Sequence, residues 1–219
     1  MTWAQAKSSM PFISVSREPA TDSDRTPTLV LLHGLASDEQ DLIGLASELD
    51  PALRVVSLRA PHETGYGGFA WFPIQFLPNG ERIVDTETAV QSLGLLEEEL
   101  ASFRAKSTGA PLLLGGFSQG AMMASGVLMK NAQLIDGAWL MSGRLFPAFA
   151  VEGASPSPRR VLVQHGLYDE VLGVDEGCEL AQALTKSGHD MSYHEYPMAH
   201  QISYESLSDA NRWLASFLT

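Results

Sequence analysis

The chain predicts an α/β fold: a compact three-layer sandwich with a mostly parallel central sheet and helices on both faces. Three observations predict it. Short apolar runs of strand length recur along the sequence, helical stretches with an apolar stripe separate them, and reactive residue types stand where the apolar runs end. Strands that alternate with helices need crossover connections, and crossovers make parallel neighbours that are buried on both faces.

Residues 1–9 read as a flexible N-terminal extension and residues 10–17 as an initial strand, with an exposed polar turn from Pro19 to Pro27 after it. Thr28-Leu-Val-Leu-Leu32 is the first strongly buried strand and runs directly into His33-Gly34 and a loop. Leu42, Leu45, Ala46 and Leu49 mark one face of the next helix, and Leu53 to Leu58 restores strand character. Residues 60–83 break the rhythm: Pro61, Gly65, Gly67, Gly68, Pro73, Pro78 and Gly80 are interleaved with Tyr66, Phe69, Trp71, Phe72 and Phe76. Such a stretch is too interrupted for a regular element and too aromatic for a solvated loop, so it reads as a loop folded onto the core, a wall of a substrate pocket, or both.

A long helix is expected from just after Asp85 to about Lys106, with Val90, Leu93, Leu96, Leu100 and Phe103 inward. Pro111 to Gly115 is the next strand and Ala121 to Met129 the helix that follows. Further strands are expected at Leu134 to Leu140, Arg160 to His165 and Met191 to Tyr196, with a helix over Val174 to Lys186 between the last two. A closing helix carries Tyr204, Leu207, Asn211, Leu214 and Leu218 on its sheet side. No internal repeat or domain boundary interrupts the order, so residues 1–219 read as one domain.

Composition excludes several classes. The 26 acidic against 14 basic residues give a net charge of −12, which opposes non-specific binding to nucleic acid or an anionic membrane. Cys178 is the single cysteine, so no internal disulfide or thiol metal cluster is available, and it reads as a small buried hydrophobe on a helix. The N-terminus lacks the apolar run of a signal peptide and no segment approaches the ~20 apolar residues that span a bilayer, so a cytoplasmic location is expected. No metal site is expected, because His194-Glu195 has no second histidine at metalloprotease spacing, and no phosphate-binding loop ends in Gly-Lys-Ser/Thr.

The segment with most chemical content is Gly116-Phe-Ser-Gln-Gly120, a serine between glycines where a buried strand meets a small-residue helix. This is the sequence form of a nucleophile elbow, in which a strained turn exposes Oγ near a helix N-terminus. A plain Gly/Ser turn before a buried helix would have the same letters. In a parallel sheet reactive groups collect beyond the C-terminal strand ends, which nominates His33-Gly34-Leu35, Ser118, Ser142, Asp169 and His200. Ser118 needs a base, and His200 follows the last strand, whereas His194 lies within it and His189 at its wrong end. Asp169 follows the preceding strand and would orient the imidazole, giving the order Ser…Asp…His; its bland reading is a turn residue. Backbone N–H groups of Leu35 and Gln119 are the candidate oxyanion donors, with His33 organising their loop. Ser142 is a competing nucleophile that lacks the elbow pattern and reads better as lining or shaping the site.

These stretches resemble the phospholipase/carboxylesterase family of α/β-hydrolases, which includes acyl-protein thioesterases and small bacterial carboxylesterases. The resemblance is carried by Leu31-Leu-His-Gly34, Arg59-Ala-Pro61 with Ala70-Trp-Phe-Pro73, Gly115-Gly-Phe-Ser-Gln-Gly-Ala121, His165-Gly-Leu-Tyr-Asp169 and Tyr196-Pro-Met-Ala-His200, in order across residues 28–218. It implies an α/β-hydrolase fold, Ser118, Asp169 and His200 as a triad, Leu35 and Gln119 as oxyanion donors, and hydrolysis of carboxylic esters or thioesters without a cofactor. Two departures stand out: Ala199 precedes His200 where the family commonly has glycine, and Glu-Val-Leu-Gly173 follows Asp169 where members often continue toward a proline. Phe69, Trp71, Phe72 and Leu77 are expected to form an apolar substrate surface favouring short- to medium-chain or lipophilic esters. Acyl-protein or small-molecule thioesterase, lysophospholipase and peptidase activities remain alternatives, as does a non-catalytic scaffold that binds a ligand or protein. Exposed apolar loop residues leave a homodimer open.

Overall fold

The computed structural model describes residues 12–78, 82–107 and 109–218. The expected N-terminal extension at 1–9 and the first two residues of the initial strand lie outside them. Eleven strands and five α-helices occur in the order β1 (Ser14–Arg17), β2 (Thr28–Leu32), α1 (Glu39–Ile43), β3 (Arg54–Leu58), β4 (His62–Glu63), β5 (Phe69–Ala70), β6 (Ile74–Phe76), β7 (Arg82–Val84), α2 (Thr86–Lys106), β8 (Leu112–Phe117), α3 (Gln119–Asn131), β9 (Gly137–Met141), β10 (Arg160–Gly166), α4 (Val174–Lys186), β11 (Asp190–Tyr196) and α5 (Tyr204–Ala215). Seven strands make one sheet in the order β1-β3-β2-β8-β9-β10-β11, parallel throughout except for β1 at its edge.

The period of two along each strand divides the core. Val30, Leu32, Leu112, Leu114, Leu140 and Val163 pack with Leu93 and Leu96 of α2, Met123 and Val127 of α3, and Leu180 of α4. Leu29, Leu31, Leu113, Trp139 and Leu162 face the other way, onto Leu42 of α1 and Leu207 and Leu214 of α5. In the five inner strands β3, β2, β8, β9 and β10 positions buried on one face alternate with positions buried on the other, as a covered parallel sheet requires, whereas the edge strands β1 and β11 are largely exposed or half-buried.

Local signals explain most element limits. Asp85 caps α2 by accepting from the Thr88 N–H, and Ser203 caps α5 from the Ser206 N–H. The helix expected through Leu42 and Leu49 is instead α1 followed by a single 3-10 turn at Gly44–Ser47, because Gly44 weakens helix propagation. Val90 is 43% exposed rather than inward, Tyr204 is 80% exposed rather than on the sheet side, and Leu218 packs part-buried against the core beside the buried Phe217. Cys178 is half-buried and its sulfur accepts from Gln182, so it is not a core hydrophobe. The described residues between 60 and 84 are not irregular throughout: they contain the antiparallel pairs β4–β5 and β6–β7.

Candidate active site

The C-terminal ends of β2, β8, β9, β10 and β11 carry the site loops, and β2 and β8 are neighbours in the sheet. Ser118 sits between β8 and α3 with φ 54° and ψ −114°, a left-handed φ that a residue with a Cβ adopts only when its surroundings enforce it. Its N–H donates to the Met141 carbonyl of β9 at 2.9 Å. Gly120 lets the helix start close against the sheet: a Cβ there would strike the Leu32 carbonyl. The strained serine is thus the geometric consequence of a strand and a helix brought into backbone contact.

His200 joins Ser118 to Asp169. His200 Nε2 lies 3.0 Å from Ser118 Oγ, and its Nδ1 lies 2.7 Å from Asp169 Oδ2. The Asp169 side chain is fully buried while that of His200 is 17% exposed, so the carboxylate is shielded and the imidazole reaches the cleft. Asp169 Oδ1 accepts from the N–H groups of Val171 at 2.9 Å and Leu172 at 2.8 Å, which fixes its plane. The two loops are tied together as well: the Leu167 and Tyr168 N–H groups donate to the Tyr196 and Met198 carbonyls. Gly166 permits this approach, since a Cβ there would meet the Met198 and Ala199 carbonyls. The Phe117 ring packs on the His200 ring with centroids 4.8 Å apart.

Leu35 and Gln119 line the same cleft as Ser118 and His200, an opening of about 270 Å³. The Gln119 N–H belongs to the first turn of α3, where no intrahelical carbonyl is in reach, so it is available to an anion beside the serine. His33 is fully buried, accepts from the Ala60 N–H at Nε2 (3.0 Å) and donates from Nδ1 to the Gly34 carbonyl (2.7 Å). Burial holds its pKa below the usual histidine value, so it is a neutral brace for the Leu35 loop rather than a base. An arrangement of hydroxyl, imidazole, buried carboxylate and unspent N–H groups can move one proton and stabilise one developing negative charge.

The sequence profile of the Phospholipase/Carboxylesterase family matches residues 17–218. The chain belongs to the phospholipase/carboxylesterase family. It is an enzyme of the carboxylic ester hydrolase class, of carboxylesterase/thioesterase type. The solved structure of esterase PE8 superposes with a TM-score of 0.84 at 26% identity, covering 95% of this chain and all (100%) of that one. The Bacillus cereus carboxylesterase gives a TM-score of 0.79 at 23% identity over 94% of each chain, a likeness of fold. Acyl-protein thioesterase 1 of Candida albicans is 23% identical over 228 aligned positions, covering 94% of this chain and 98% of the relative.

The two departures from the family pattern have structural explanations. Among the described residues the only non-glycine positions with positive φ are Ala36, Ser118 and Ser142, so Ala199 does not need a glycine's freedom. After Asp169, the Val171 and Leu172 N–H groups are both used to hold the carboxylate, a role that a proline at either place would remove.

The expected aromatic substrate surface is corrected. Trp71 and Phe72 are fully buried, and neither they nor Phe69 and Leu77 line the cleft. Three of the four instead frame the loops around it. Phe69 exchanges backbone hydrogen bonds with Ala36 and Ser37, Trp71 Nε1 donates to the His33 carbonyl at 3.0 Å, and the Phe72 ring stacks on Phe146. The Gln119 side chain binds the same segment, accepting from the Trp71 N–H at 2.8 Å and donating to the Phe72 carbonyl at 2.7 Å. One short segment therefore ties the Leu35 loop to the start of α3. The cleft wall is built from Ile74, Val84, Phe117, Met122, Val171 and Leu172, with Arg82, Arg144 and Asp41 also facing it. Ile74 and Arg82 come from the 60–83 segment expected to form a pocket wall, although neither was singled out; the others had no such place in the sequence reading, and the Ser-Gly-Arg144 turn after a strand carried a signal that could have found one. Ser142 is fully buried and does not line the cleft, so it is neither a nucleophile nor a wall.

Among the described residues no cluster of His, Cys, Asp or Glu has the make-up of a metal site, and no helix is long and apolar enough to cross a membrane.

Proposed function

We propose that this family member is a serine hydrolase that cleaves carboxylic esters through an acyl-Ser118 intermediate. The observation that carries the reading is the continuous hydrogen-bonded chain from Ser118 Oγ through His200 to Asp169, at 3.0 Å and 2.7 Å, beside the Leu35 and Gln119 N–H groups. Ser118 Oγ attacks the carbonyl carbon as His200 Nε2 takes its proton, and the buried Asp169 carboxylate stabilises the imidazolium. The carbonyl oxygen, now negative, receives the two backbone N–H groups, each of which contributes about 2.7–4 kcal/mol to transition-state stability if it behaves as such donors do elsewhere. His200 then protonates the departing alkoxide, leaving the acyl group on Ser118. A water deprotonated by the same imidazole attacks that ester, and the acid departs as Ser118 recovers its proton.

A thioester fits the same sequence of steps, with a thiolate as leaving group, and the family's thioesterase members support testing it in parallel. Initial rates against a panel of p-nitrophenyl esters and acyl thioesters, run with the Ser118→Ala variant, test the proposal. Turnover by the wild type and none by a folded Ser118→Ala protein is expected. Equal rates for the two would refute the nucleophile, and turnover confined to thioesters would move the substrate class.

A further inference from the structure

We propose that the cleft selects esters or thioesters carrying a carboxylate at the far end of a short apolar chain, recognised by Arg144 and Arg82. This rests on the serine-hydrolase reading above and concerns which substrates that site takes. In a chain with 14 basic residues and a net charge of −12, two arginines face the cleft that holds Ser118. Arg82 is anchored to the loop before α4 and Arg144 to the first turn of that helix. Arg82 Nη2 donates to the Val171 carbonyl at 2.7 Å, and Arg144 Nη1 reaches Glu176 Oε1 at 3.4 Å, while the other oxygen of Glu176 holds the Gly173 N–H.

Neither guanidinium is saturated by these contacts. A carbonyl leaves the Arg82 charge uncompensated, and no carboxylate lies within 4.0 Å of Arg82 among the described residues. Arg144 has a long ion pair at 3.4 Å, and its side chain is 26% exposed. A planar carboxylate supplies two acceptors at the spacing of the guanidinium fork, and the resulting charge-assisted pair is stronger than a hydrogen bond between neutral groups. The one carboxylate that lines the cleft among the described residues, Asp41, comes from α1 on the Leu35 side and accepts from the Ser37 hydroxyl at 2.7 Å. The cleft is therefore polarised, with its cations against the loop before α4 and the first turn of that helix. Ile74, Val84 and Met122 supply apolar surface for the methylenes that separate the anion from the scissile carbonyl. Without local cations, a chain of this net charge would repel such a substrate.

The anion could belong to the acid or to the leaving group, and matched substrate pairs distinguish the two. On the acid side, mono-4-nitrophenyl adipate is compared with 4-nitrophenyl hexanoate; on the alcohol side, 4-acetoxybutanoate is compared with butyl acetate by titration of released acid. The wild type is expected to show a kcat/KM ratio of anionic to neutral substrate of about tenfold or more in one pair, carried mainly by KM. Arg144→Met should lower that ratio about tenfold and Arg82→Met by a smaller factor, and added salt should lower it in the wild type. A ratio does not depend on how much of a variant folds. Ratios near one in both pairs, or a preference that survives Arg144→Met and Arg82→Met together, would overturn the inference while leaving neutral-ester turnover and its loss in Ser118→Ala intact. Absence of any turnover in wild type would instead sink the underlying serine-hydrolase reading, and this inference with it.

Discussion

Replacing Asp169 by asparagine separates orientation from packing. In the wild type, Oδ1 accepts the Val171 and Leu172 N–H groups at 2.9 and 2.8 Å, and Oδ2 faces His200 Nδ1 at 2.7 Å. An asparagine must keep its oxygen toward the two backbone donors, because turning the amide over would leave both unsatisfied in a buried setting at about 1–3 kcal/mol each. Its NH₂ therefore points at His200. Two donors cannot face each other, so Nδ1 becomes the acceptor and the imidazole proton moves to Nε2, toward Ser118. The base is then lost although every heavy atom stays in place. The expected result is a fall in kcat of about 10⁴-fold, equivalent to roughly 5.5 kcal/mol of barrier, with the melting temperature nearly unchanged. Initial-rate kinetics on a p-nitrophenyl ester, beside thermal melts of both proteins, measure it. A folded Asp169→Asn protein with kcat within tenfold of wild type would refute the orientation argument.

Other outcomes follow from the same contacts. Gln119→Leu keeps the backbone N–H but strands the Trp71 N–H and the Phe72 carbonyl in a region where Gln119 is 1% exposed; a loss of about 2–6 kcal/mol in urea unfolding is expected, and less than 1 kcal/mol would contradict the bracing role. Gly120→Ala drives a Cβ into the Leu32 carbonyl, so both stability, by about 1–3 kcal/mol, and turnover should fall; an unchanged kcat would show that the elbow tolerates the shift. Burial holds His33, His62 and His189 below the ordinary histidine pKa of 6.5, so below that pH the unfolded chain binds protons that the folded chain does not. Stability should decline as pH falls from 6.5 toward the folded-state values, by about 1.4 kcal/mol per pH unit for each histidine, and calorimetry showing flat stability between pH 7 and 5 would refute it.

Ser118, Asp169 and His200 could be placed from sequence because their chemistry depends on topology, and topology depends on pattern. A parallel sheet delivers the residues that follow its strands to one edge, so three positions far apart in the chain become candidates for one site once the strands are recognised. Phe69, Trp71 and Phe72 misled for a related reason. Their aromatic character fits a core-packed loop and a pocket wall equally, and partners remote in sequence decide for the core: the Gln119 amide, the His33 carbonyl and the Phe146 ring. The segment expected as a wall does contribute Ile74, but its partner Val84 across a short hairpin and Met122 one turn into α3 had no local signature. Arg82 and Arg144 carry no sequence signal of a shared role, because only the fold brings both to the N-terminal end of α4. Helix limits were set by Asp85 and Ser203 caps, which sequence does reveal, but Gly44 converted the expected helix end into a 3-10 turn.

The account rests on Ser118 as the nucleophile, and covalent capture tests this most directly. After reaction with a fluorophosphonate, peptide mass spectrometry of the wild type should find one adduct, on Ser118 in the peptide containing Gly116-Phe-Ser-Gln-Gly120, and the Ser118→Ala protein should remain unmodified. An adduct on Ser142 or any other serine, or labelling undiminished in Ser118→Ala, would contradict it.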